Sequence, residues 1–140
     1  MNQRLTMSLV LMLGLLTALV AHAVPPAPVQ IEVNFLLGYI EGSGCDFYRN
    51  GIWYGPKKAL AHLRDKYRYL VASNMINTAE DFIEKGATES SFTGLPYEVR
   101  CNGSAPTMTN QWLRDELARF RKFNKKPTSI LLEEKPALNG

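Results

Sequence analysis

Few side chains in this chain could do chemistry, and none has an evident partner in the sequence. Glu89, in the run "TESSFTG" from Thr88 to Gly94, is a lone carboxylate followed by two serines; by itself it could only be a general acid. His62 lies about 120° from the centre of its helix's apolar stripe on an ideal wheel, which places it at the boundary or in solvent. Arg49 offers planar donors suited to a carboxylate or phosphate, and it sits beside Asn50-Gly51 among Phe47, Tyr48, Trp53 and Tyr54. Cys45 and Cys101 are the two cysteines. The sequence contains no nucleophile with a base, no metal-ligand spacing and no phosphate-cradling glycine loop, so no catalytic residue, metal or cofactor is assigned. A binding face remains: Arg49, Trp53, Tyr54, Ser90, Ser91, Thr93 and Tyr97.

The elements that must position these residues follow from periodicity and punctuation. "VQIEVNFLLGYIEGSG" has apolar residues around most of a helical wheel, with Gln30, Asn34, Gly38 and Glu41 on a narrow polar strip, and predicts a mostly buried helix stopped by Gly42 and Gly44. Asn50-Gly51 predicts a hairpin with a type I′ turn, pairing Arg49 with Ile52, Tyr48 with Trp53 and Phe47 with Tyr54. Pro56 opens a second helix with Ala59, Leu60, Leu63, Tyr67, Leu70 and Val71 on one face. Asn77 or Thr78 caps a third, with Glu80 or Asp81 completing the box and Gly86 ending it. Tyr97 to Cys101 alternates as a strand that joins the hairpin, and "NGSAPTMTN" is a loop. A last amphipathic helix carries Trp112, Leu113, Leu117, Phe120 and Phe123 on one side and a local basic excess. The fold class is α+β: about four helices packed on a small antiparallel sheet, with one disulfide.

The chain's 140 residues suffice for one domain. Residues 1–23 read as a secretory signal, with Arg4 before an apolar run and "AHA" at the cleavage position; an anchored span is the alternative. Residues 24–29 are a proline-rich lead-in serving as a flexible tether, 30–124 a single globular domain, and 125–140 a flexible tail in which Ile130 to Leu132 could dock. Export to an oxidising compartment makes a lone cysteine pair a disulfide, Cys45 to Cys101. Closing a loop of about 57 residues is worth roughly 4 kcal/mol in the chain-entropy model. The net charge of +3 is too weak to indicate a nucleic-acid partner, and no membrane span is expected once the signal is cleaved.

The blocks "SGCDFYRNGIWY", "ALAHLRDKY", "TAEDFIEKGATESSFTGLPYEVRC" and "WLRDELARFR" resemble, in order, a family of small exported proteobacterial proteins of unknown function that includes YfeK. The likeness runs from about Gln30 to Arg121 and implies a periplasmic single domain with paired cysteines. It implies no reaction, ligand or partner. Two local likenesses are slighter. "ATESSF" resembles the catalytic-glutamate block of lytic transglycosylases, with Glu89 as the acid, although the rest of that pattern is missing. "TGLPY", Thr93 to Tyr97, resembles the inserting loop of periplasmic lysozyme inhibitors, which are all-β. The expectation is a non-enzymatic envelope protein that binds another protein or a cell-wall component. The alternatives are a lysozyme-type inhibitor and, less favoured, a peptidoglycan-cleaving enzyme using Glu89.

Overall fold

A computed structural model describes residues 24–125. The signal read at 1–23, and the tail apart from Lys125, lie outside the described residues. The elements run α1 (Ala27–Gly42), β1 (Asp46–Arg49), β2 (Ile52–Tyr54), α2 (Pro56–Ala72), α3 (Ala79–Gly86), β3 (Glu98–Arg100), β4 (Thr107–Met108) and α4 (Thr109–Asn124). The α+β class therefore holds, with four helices and one antiparallel sheet ordered β2-β1-β3-β4 among the described residues.

The hairpin has the register that its turn demands: Phe47 faces Tyr54, Tyr48 faces Trp53 and Arg49 faces Ile52. Asn50 and Gly51 both take positive φ, 51° and 89°, as a type I′ turn requires. β3 pairs antiparallel with β1, Asp46 opposite Arg100 and Tyr48 opposite Glu98. One step further along the same register Cys45 meets Cys101, and the two form the disulfide with Cα atoms 4.4 Å apart.

Side chains alternate across this sheet. Phe47 and Val99 point inward to the helices and are buried, while Tyr48, Trp53 and Arg100 share the outer face. There Arg100 stacks on Trp53 at 4.0 Å and bonds Asp46 at 3.3 Å, a closed outer ladder.

Three differences from the sequence reading have physical causes. First, α1 begins at Ala27, inside the stretch read as a tether, because prolines in the first turn have no intrahelical N–H to lose. Second, residues 102–108 are not all loop. Asn102 and Gly103 take positive φ, 51° and 71°, and turn the chain so that Thr107 and Met108 pair with Val99 and Glu98. Third, α1 is less enclosed than its wheel suggests, since Ile31 is 60% exposed whereas Glu32 reaches Arg121 of α4.

The core consists of Val33, Leu36, Leu37 and Ile40 of α1 with Leu60, Leu63 and Leu70 of α2, Phe82 and Ile83 of α3, and Leu113 and Leu117 of α4. Thr78 and Asp81 form the capping box of α3. On α4, Phe120 stacks on Phe35 at 4.1 Å, but Phe123, expected inward, is 79% exposed. The basic residues of this helix are largely engaged: Arg114 with Glu84, Arg119 with Glu116, and Arg121 with Glu32 and Glu80. No described helix is long and apolar enough to cross a membrane.

Candidate functional site

The inner face of the hairpin, the middle of α2 and the first residue of α4 line a half-open cavity of about 170 Å³. Phe47, Tyr54, Ala59 and Leu63 supply apolar walls, and Arg49, Lys58, His62, Tyr97 and Thr109 supply polar groups. No carboxylate lines it. The register explains how Arg49 comes to be there, because β1 residues 47 and 49 share a face and 47 must point to the core. Along α2 the helical period does the same for Lys58, His62 and Lys66, which follow one another at four-residue spacing.

A polar chain runs along the cavity's edge. Arg49 Nη1 lies 2.6 Å from His62 Nδ1, and His62 Nε2 lies 3.0 Å from the Tyr97 hydroxyl. Guanidinium can only donate, so Nδ1 accepts, and the imidazole proton sits on Nε2 and is donated to Tyr97. A neutral ring is what this requires. Burial, and then the positive charges of Arg49 and Lys66, push the His62 pKa down to about 4. Lys66 donates to the Glu89 carbonyl at 2.9 Å and approaches the Tyr97 hydroxyl at 3.5 Å; burial lowers its pKa and raises that of Tyr97. The guanidinium also lies over the Tyr54 ring at 5.3 Å.

Two buried side-chain atoms among the described residues have no hydrogen-bond partner, Arg49 Nε and Thr109 Oγ1. Both residues line this cavity. Thr109 is 1% exposed and opens α4, whose N-terminus has no side-chain cap.

The residues expected to form a binding face separate into three groups. Arg49, Tyr54 and Tyr97 line the cavity. Ser90 and Thr93 are tied to the hairpin tip, with Asn50 Nδ2 donating to Ser90 Oγ at 3.2 Å and Thr93 Oγ1 donating to Asn50 Oδ1 at 2.6 Å. Trp53 and Ser91 do not join them. Ser91 is exposed on the loop, and Trp53 is on the outer face with Tyr48 and Arg100, since neighbouring strand residues point opposite ways. Sequence reasoning missed Lys58, Lys66 and Thr109 and undervalued His62. The four-residue spacing on α2 was the available signal; nothing local marks Thr109. The Glu89 side chain is exposed, and its backbone bridges to Pro96.

A family model described as a family of unknown function (DUF5329) matches residues 27–121. An uncharacterized protein, YfeK, of Salmonella typhimurium is 38% identical over 85 residues, covering 60% of this chain and 69% of that protein. No solved structure matches.

Proposed function

Starting from the fact that the chain belongs to the DUF5329 family of unknown function, the family that includes YfeK, we propose a non-enzymatic binding protein of the periplasm whose ligand enters the cavity between the hairpin and α2. One observation carries this reading. The two residues that carry unpartnered buried polar atoms, from elements far apart in sequence, both line one cavity. Each such atom costs about 1–3 kcal/mol when left unsatisfied, so their convergence is expected where an occupant supplies the missing partners. The disulfide is compatible with export, and the apolar run before residue 24 supports it. An exposed Glu89 lacks the enclosure that keeps a catalytic acid protonated, which argues against glycoside cleavage.

The test is a fragment screen by two-dimensional NMR on the mature, oxidised protein. Fragments that shift Thr109 and the Arg49 side chain together support the reading. A screen in which no fragment moves those resonances overturns it.

A second reading has its own observation. Phe92, at the tip of the loop between Ser90 and Leu95, is 97% exposed, as a residue inserted into a partner would be. Tyr97, which an inhibitor of the lysozyme type would present, is instead 6% exposed and turned to His62. Protection of cell-wall sacculi from added lysozyme, lost in Phe92→Ala, would favour this reading over the first.

A further inference from the structure

The lining of the cavity specifies more than that something binds. We propose that its ligand is a small aromatic monocarboxylate, with the carboxylate received by Arg49 and Thr109 and the ring held between Phe47, Tyr54 and Leu63. The inference rests on the binding reading above and deepens it.

Charge selects an anion. Arg49 and Lys58 face a cavity that no carboxylate lines, and Arg49 forms no salt bridge among the described residues. Its one polar contact at the site is a neutral imidazole, which fixes the plane of the guanidinium without cancelling its charge. The uncapped N-terminus of α4 adds a favourable dipole at Thr109. Donor count selects a carboxylate. One free Nε–H and one free hydroxyl match two oxygens. A phosphate would bring further oxygens and a second charge, and those turned to Phe47, Ala59 and Leu63 would find no donor, Lys58 being the one other cation of the lining.

Size and wall chemistry select the rest. An apolar cavity of about 150 Å³ is known to hold one benzene, and this one is about 170 Å³ with aromatic rings on two sides. A ring with its carboxylate fills that volume, whereas a long chain or a disaccharide would leave most of its length outside the cavity's open side. Both orphan atoms are sealed from solvent, so they gain partners only as the ligand enters and the side chains around them adjust.

The experiment titrates the oxidised mature protein with benzoate, benzyl alcohol and inorganic phosphate, following amide and arginine side-chain resonances. Benzoate should bind saturably, shifting Thr109 and Arg49 Nε, at least tenfold tighter than benzyl alcohol, with no saturable effect of phosphate. Arg49→Gln should weaken benzoate at least tenfold and leave benzyl alcohol unchanged. Thr109→Val keeps the shape and removes the hydroxyl; it should weaken benzoate several-fold while leaving the ligand-free melting temperature equal or higher. A clear fall in that temperature would mean that the hydroxyl already has a partner, and the assignment would be wrong. If benzyl alcohol binds the same resonances as tightly as benzoate, or phosphate saturates them, the ligand class is overturned and the binding site stands. If neither these probes nor the fragment set shifts them, both readings fall.

Discussion

Arg121 and Arg49 are held by opposite means. Arg121, on α4, donates Nε and Nη2 to Glu32 of α1 at 2.7 and 2.8 Å and donates to Glu80 of α3, joining three helices through two carboxylates. Its pKa is raised by those bonds, and that of Glu80 is lowered chiefly by the bond from Arg121. Arg49, on β1, is gripped by an uncharged histidine and a tyrosine ring. Neutralising a charge inside the fold contributes to stability; orienting it without neutralising it leaves it available to something outside. Arg121 has spent its charge on the fold, and Arg49 has kept its own.

The largest expected effect is on the sheet side. The disulfide joins β1 to β3 at the end of the ladder that carries Arg49 and sets Tyr97 beside His62. Cys45→Ser with Cys101→Ser should therefore cost about 2–4 kcal/mol in a urea melt. Loss of the Thr109 and Arg49 signals should precede loss of helix on the way up the melt. Simultaneous loss of both would show that the two regions do not differ in this respect.

Arg121→Leu comes next. Its ion pairs are part-buried, between the ~0–1 kcal/mol of exposed pairs and the ~3–5 kcal/mol of broken buried ones, so a loss of about 1–2 kcal/mol is expected. Ligand-induced shifts at Thr109 should be unchanged. A variant as stable as the wild type would remove the structural half of the comparison.

How much of this was legible in the sequence follows from the range of each interaction. The hairpin and its register were legible because Asn50-Gly51 sets both turn φ values and the pairing then has no freedom. Asn102-Gly103 is the same dipeptide, but only two residues follow in strand before α4 starts, too few for an alternating pattern to mark them. Placing Trp53 and Tyr54 on one face ignored the period of two. The cavity was half legible: residues 58, 62 and 66 share a stripe of α2, but the reading centred on the apolar face made His62 a bystander. Arg121 with Glu32, 89 residues apart, and Thr109 on the same cavity as Arg49 depend on tertiary closure, and no local pattern encodes either.

The smallest effect isolates Arg49 itself. At pH 7, Arg49→Ala removes the bond to His62 and the contact with Tyr54 but also an unsatisfied buried Nε, and it breaks no ion pair, so the net loss of stability should stay below about 1 kcal/mol. The difference should appear on acidification. His62 titrates near 4 in the folded state against an ordinary value of 6.5, so as pH falls the unfolded chain binds the proton first. Stability is then lost between about pH 6.5 and 4 and levels off below, as far as His62 is concerned. Burial is the leading cause; Arg49 from β1 and Lys66 on α2 add to it, Asp65 opposes it, and the Tyr97 hydroxyl accepts the Nε2 proton. Asp81, held down to about 2 mainly by Lys85, and Glu80 lose their contributions as the pH falls through the ordinary carboxylate range and below it, so the window above that range belongs largely to His62. Removing the guanidinium lets His62 accept a proton at higher pH while burial and Lys66 still depress it. The slope of stability between pH 6.5 and 4.5 should become shallower in Arg49→Ala without vanishing. Urea melts at four or five pH values measure it. An unchanged slope, or a loss above about 1 kcal/mol at pH 7, would make Arg49 a structural residue like Arg121.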